Sequence, residues 1–213
     1  MDLKPFQPSS SAEASAYARS SASKVASRQE TLRRTNQVLL AGIKTFVLEI
    51  GCGHGHMLSA YAAAHPDEIC VGIDIIADRI DRADRKKNRA RLSNLHFIHA
   101  SAEDYLETIP PHIFVSKLFV LFPDPWPKRR HHKNRLIQPE FLTDLRPRLS
   151  ETSRLYFRTD DHLYFSAAEQ VISAHPEWRI SPDHWIFEYT TVFQARASLH
   201  HSLVAEPKRP DSA

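Results

Sequence analysis

The stretch Phe46-Val47-Leu48-Glu49-Ile50-Gly51-Cys52-Gly53-His54-Gly55-His56-Met57 decides how this chain is organised. An apolar, β-prone run at 46–50 enters three glycines at alternate positions, and a helix-forming segment at 57–64 follows. Strand, glycine turn and helix open a βαβ unit, because glycine lets the backbone turn sharply and approach a ligand. The alternation continues downstream. Strands are expected at 69–73, 95–99, 115–122 and 154–159, and helices at 77–91, 102–109, 138–149 (interrupted by Pro147) and 163–175. The run at 115–122 is almost wholly apolar, as a central parallel strand buried on both faces should be. These signals predict an α/β fold, a Rossmann-like doubly wound and mostly parallel sheet. Two later runs, 185–187 and 199–204, are expected to close it as an antiparallel pair.

At 213 residues and 42% hydrophobic, the chain suits one domain, expected over 35–205. Residues 1–34, rich in Ser and Ala with scattered basic residues, read as a mobile arm, and 206–213 as a flexible tail. The longest apolar run, at 118–122, has five residues, too few for a membrane helix. No apolar core of secretory length opens the chain, and two lone cysteines make no disulfide framework, so a cytoplasmic protein is expected. Net charge is only +3, yet it is unevenly spread. Residues 79–91 hold Arg79, Arg82, Arg85, Lys86, Lys87, Arg89 and Arg91 against Asp81 and Asp84. Residues 128–135 hold Lys128, Arg129, Arg130, Lys133 and Arg135 with no carboxylate. Single-sign patches on a nearly neutral protein favour a polyanionic partner, although one such patch alone is more often a solvated helix face.

The glycines are spaced GxGxG, where a dinucleotide fingerprint would read GxGxxG. Asp74 closes the second strand, where a carboxylate suits two ribose hydroxyls. Acid-x-GxGxG with an acid ending the next strand resembles the class I S-adenosylmethionine-dependent methyltransferases; a turn for another nucleotide is the alternative. His54 and His56 lack a third ligand nearby and read as loop residues rather than a metal site. Cys52 reads as a gap-filling turn residue with no assignable base.

The most specific segment follows the fourth strand: Phe122-Pro123-Asp124-Pro125-Trp126-Pro127-Lys128-Arg129-Arg130-His131-His132-Lys133-Asn134-Arg135. Alternating prolines predict a stiff, extended scaffold holding Asp124 and Trp126 at the carboxyl-end crevice of the sheet. A carboxylate and an aromatic plane there suit a flat base with donor groups, and the cations after them suit its flanking phosphates.

This segment resembles the tRNA (guanine-N7-)-methyltransferase family, which modifies guanine 46 of the variable loop, and the similarity runs from about residue 47 to 196. The resemblance implies S-adenosyl-L-methionine as cofactor and tRNA as partner, and leaves monomer or homodimer open. It assigns cofactor contacts to Glu49, Gly51, Gly53, Asp74, Ser101 and Asp124, and a catalytic role to Asp124. It assigns substrate contacts to Lys128, Asp160, Thr191 and Gln194. Three positions depart from the family pattern: Ser101-Ala102 stands for Asp-Ala, Gln194 for Glu, and residues 150–153 for a Pro-Gly-Gly turn. A non-catalytic RNA-binding protein of the same fold is the first alternative, and Gln194 and Ser101 favour it. A small-molecule methyltransferase would have no use for the basic runs, and a nicotinamide-dependent dehydrogenase has the wrong glycine spacing.

Overall fold

The computed structural model describes residues 11–189 and 199–208. The strands are β1 (Thr45–Ile50), β2 (Cys70–Asp74), β3 (Leu95–His99), β4 (Phe114–Leu121), β5 (Arg154–Thr159), β6 (Trp178–Ile180) and β7 (His201–Pro207). They form one sheet in the order β3-β2-β1-β4-β5-β7-β6. Pairs β1 through β5 are parallel, and β7 runs antiparallel to both its neighbours. The chain winds outward from β1 to β3, then crosses to β4 on the other side of β1. That reversal leaves a crevice at the carboxyl ends of β1 and β4, where ligands of such sheets sit.

Among the described residues six α-helices cover the sheet: α1 (Ser11–Leu39), α2 (His56–Ala64), α3 (Ala77–Ala90), α4 (Ala102–Thr108), α5 (Pro139–Leu145) and α6 (His162–Ala174). Alternation along the strands sorts the side chains onto two faces. Phe46, Leu48, Ile50, Leu118, Val120, Leu155 and Phe157 pack with residues of α1, α4, α5 and α6. Val47, Cys70, Phe97, Phe119 and Tyr156 pack with α2 and α3. None of the helices among the described residues is long and apolar enough to cross a membrane.

Three expectations need correcting. The edge strand on the outer side of β7 is β6, with Trp178 opposite Pro207 and Ile180 opposite Ala205, and not residues 185–187. Trp178 is fully buried and its indole N–H donates to the Leu142 carbonyl at 3.1 Å, which pins this segment to the helical layer. Residues 185–187 are coil that covers the second face past α2. Trp185 stacks edge-on to Tyr156 at 5.6 Å, and Phe187 to Tyr61 at 5.1 Å. The N-terminal segment is not a free arm up to residue 34. On α1, Arg28 pairs with Asp104 of α4 at 2.9 Å, Leu32 is buried in the core, and Asn36 donates to the hydroxyl of Thr108 on α4 at 3.1 Å. Residues 206–208 are not a flexible tail: the buried Glu206 carboxylate is held between Arg154 and Arg179 at 2.8 and 2.6 Å, and the Lys208 N–H donates to the Glu177 carbonyl at 2.7 Å, while residues 209–213 lie outside the described residues.

Candidate active site

The glycine turn leaves β1 with all three glycines at positive φ: 74° at Gly51, 54° at Gly53 and 66° at Gly55. Their surroundings differ. A Cβ on Gly51 or Gly53 would meet nothing within 4 Å, whereas one on Gly55 would meet the Phe97 ring at 2.3 Å. The first two glycines keep open space above the turn, and the third lets β3 and α3 pack beneath it. Asp74 braces the turn from below. Its two oxygens accept from the Gly53 N–H at 3.0 Å and the Ile76 N–H at 2.9 Å, and Arg79 lies 3.5 Å away. Oδ2 accepts from both Gly53 and Arg79, whereas Oδ1, which accepts from Ile76 alone, keeps a second lone pair for a ligand hydroxyl.

A cleft of about 360 Å³ opens at the crevice, within the range of small-molecule sites. Gly51, Asp74, Ser101 and Asp124 all line it, with Ile75 and Ile76 as an exposed apolar wall. Ser101 is the N-cap of α4, its hydroxyl accepting from the Asp104 N–H at 3.1 Å, so this departure from the family pattern still has local work. Glu49 and Gly53 do not line the cleft. Glu49 is buried on β1 with Oε2 lacking a hydrogen-bond partner among the described residues. Burial first, and the charge of Asp74 next, push its carboxyl up to about 8, against the opposing pull of the Leu58 backbone N–H. Burial and the charges of Glu49 and Asp74 also push the adjacent Cys52 thiol far up, which suits a packing residue and not a nucleophile.

The proline-rich loop departs from the expected extended form. Phe122 and Trp126 take left-handed φ values of 48° and 46°, costing about 1–3 kcal/mol each for non-glycine residues. The chain must leave the sheet at Phe122 and double back at Trp126 into the 3-10 turn Arg129–Asn134. Two contacts hold it there. The Phe122 N–H donates to the Arg158 carbonyl at 2.7 Å, and Arg135 Nε donates to the Pro125 carbonyl at 2.8 Å. Arg135 is buried with its guanidinium over the Tyr164 ring at 4.8 Å. It is therefore a bolt for the loop and leaves the set of cations offered to an anion. Asp124 stands exposed at the cleft mouth, and Trp126 is half-buried, edge-on to His131 at 5.8 Å.

Lys128 and Asp160 are exposed and do not line the cleft; Thr191 and Gln194 lie outside the described residues. Sequence reasoning missed Arg158, buried at the end of β5. It donates to both oxygens of Glu188 at 2.9 and 2.8 Å and stacks on Trp185 at 4.0 Å. A charge inside the apolar Leu155–Thr159 run was its visible signal, since a buried guanidinium needs a partner.

A family profile described as "Putative methyltransferase" matches residues 44–200. A curated tRNA (guanine-N(7)-)-methyltransferase of Hyphomonas neptunium is 36% identical over 150 residues, covering 69% of this chain and 68% of that protein. That of Rhodospirillum rubrum is 34% identical over 160 residues, covering 70% and 61%. The chain spans about 60–68% of the length of such relatives. Solved structures share the fold at low identity. An aminoglycoside resistance methyltransferase gives a TM-score of 0.57 at 15% identity, covering 83% of this chain and 93% of the other. A Streptococcus thermophilus rRNA methylase gives 0.52 at 12%, covering 82% and 95%. The glycine turn, the acid at the end of β2 and the cleft they border thus belong to a chain that is a member of the tRNA (guanine-N(7)-)-methyltransferase family.

Proposed function

We propose that this chain transfers a methyl group from S-adenosyl-L-methionine to N7 of a guanine in tRNA, position 46 of the variable loop, as a cytoplasmic enzyme. One observation carries the proposal: Asp124, on a loop bolted in place by Arg135, lines the same cleft as Gly51, Asp74 and Ser101. The residues present fit the cofactor. Open space above Gly51 admits a close ligand, Ile75 and Ile76 offer an apolar wall for a flat base, and Asp74 offers an acceptor at the end of β2.

When bound, the cofactor supplies an electrophilic methyl on a cationic sulfur. Guanine N7 already carries a lone pair, so no strong general base is required. The protein's task is to hold N7 in line at about 3–3.5 Å. Methylation leaves the purine cationic, and the Asp124 carboxylate at the cleft mouth stabilises that charge as it develops. Trp126 shapes the base pocket, and Lys128 with the cations after it meets flanking phosphates. Asp160 extends the substrate side at the carboxyl end of β5, and the family resemblance adds Thr191 and Gln194 as substrate contacts. The catalytic domain takes in the α1 residues from Arg28 onward that pack on α4.

Incubation with bulk tRNA and methyl-labelled S-adenosylmethionine, then digestion to nucleosides, tests this directly. Labelled 7-methylguanosine is the expected product. Binding of tRNA with no label transferred supports instead a non-catalytic RNA-binding member, the alternative that Ser101 and Gln194 favour.

A further inference from the structure

We infer that a second, open depression, walled by His54 and His56 of the glycine turn and by Arg82, Arg85, Lys86 and Arg89 of α3, seats phosphodiester groups of the tRNA body. It rests on the proposed tRNA substrate and names a separate surface for it, outside the methyl-transfer cleft.

The structure splits the basic run at 79–91 into parts with different partners. Arg79 turns to Asp74 in the cofactor cleft. Lys87 lies in the field of Asp84 and of His96 on β3. Positions 82, 85, 86 and 89 fall on one helical face by their spacing and line a depression of about 560 Å³ with the two histidines. Its only lining carboxylate is Asp78, which pairs with Arg82 at 2.9 Å. Lys86 Nζ donates to the His54 carbonyl at 2.7 Å and has two further N–H groups to offer. Arg85 and Arg89 are exposed without a carboxylate partner among the described residues. Burial and the charge of Arg89 depress Lys86, and burial and Lys86 depress His56. These cations crowd one another, and an external anion relieves that repulsion.

Shape and composition select the kind of anion. The depression is broad and shallow, and its only rings are two imidazoles set edge-on at 6.3 Å, with no aromatic platform for a stacked base. Cations without such a platform read the backbone by charge and position rather than by sequence. The seat and the cleft share the glycine turn: His54 lies between Gly53, which donates to Asp74, and Gly55, which opens α2.

The test is binding of bulk tRNA to the full chain by fluorescence anisotropy between 50 and 300 mM KCl. Arg85→Gln/Arg89→Gln is compared with wild type and with Lys87→Gln/Arg91→Gln, which removes equal charge from outside the seat. The seat variant is expected to bind about tenfold more weakly near 150 mM, with the log-affinity against log-salt slope shallower by roughly 1.8 for two lost phosphate contacts. Its affinity for S-adenosylhomocysteine stays at the wild-type value, which also reports an intact fold. The control pair shifts the slope far less. Equal loss in both pairs, or a seat variant that matches wild type while the wild type binds and methylates tRNA, overturns the seat alone. A wild type that does not bind tRNA even at 50 mM overturns the seat and the proposed substrate together.

Discussion

Replacing Glu49 by Gln should flatten the pH dependence of stability. The Glu49 carboxyl is pushed up to about 8 in the folded protein, whereas the same group is ordinary in the unfolded chain. Between about 4.5 and 8 the folded state therefore holds a proton that the unfolded state has released. Stability is greatest at the low end of this window, falls as pH rises through it, and levels off above about 8. Each pH unit within the window costs roughly 1 kcal/mol for one such proton. From pH 5.5 to 7.5 the wild type should lose roughly 2 kcal/mol that the Gln variant keeps, about 4–8 °C in Tm at this chain length. Gln matches the protonated carboxyl in size and carries no charge, so all other titrating groups cancel in the comparison. Calorimetric or urea unfolding at pH 5.5, 6.5 and 7.5 measures the difference. Parallel curves for the two proteins would refute the account, because they would mean that Glu49 is ionised in the folded protein or reached by water.

Asp124→Asn should lower the single-turnover methylation rate about 10²–10³-fold at saturating tRNA, the typical loss for one preorganised electrostatic contact, with S-adenosylhomocysteine affinity little changed. Lys128→Ala should act on tRNA affinity instead, because a phosphate contact positions the substrate without entering the transfer; the same single-turnover assay separates the two. Asp74→Ala removes the acceptor for the Gly53 and Ile76 N–H groups, and calorimetry should find S-adenosylhomocysteine affinity down about ten- to hundred-fold. Gly55→Ala forces a methyl to 2.3 Å from the Phe97 ring at a positive φ and should cost roughly 2–4 kcal/mol of stability by strain and overpacking together. Gly53→Ala, with open space around its Cβ, should cost only about 1 kcal/mol by chemical denaturation.

What was legible in the sequence was carried by short contiguous runs. The GxGxG turn, the acid closing β2 and the Pro-Asp-Pro-Trp segment each lie at the end of a strand. A parallel sheet with one reversal brings strand ends together, so Gly51, Asp74, Ser101 and Asp124 meet in one cleft without any long-range pairing having to be guessed. The residues misread are those whose role depends on a distant partner. Arg135 looks like one more cation in a basic run until Tyr164 and the Pro125 carbonyl come to it across the fold. Residues 178–180 and 185–187 are both short and aromatic; which becomes the strand is decided by Leu142, whose carbonyl takes the Trp178 indole. Residues 28–34 show weak periodicity because only Leu32 among them is buried, and their anchor, the Arg28–Asp104 pair, spans 76 residues.

The same distinction separates the two parts of the site. The cleft is built from backbone: three glycines at positive φ, two amide donors on Asp74, and a proline-rich loop tied through carbonyls. Ser101 belongs to this frame, because its hydroxyl caps α4. The basic seat takes its cations from long side chains at helical spacing on α3, and the glycine turn adds only the two histidines and the His54 carbonyl. Substitutions at Arg85 or Arg89 should therefore change how strongly RNA is held and leave the chemistry of the cleft alone, whereas changes at Gly51, Gly53 or Asp74 alter the turn on which both depend.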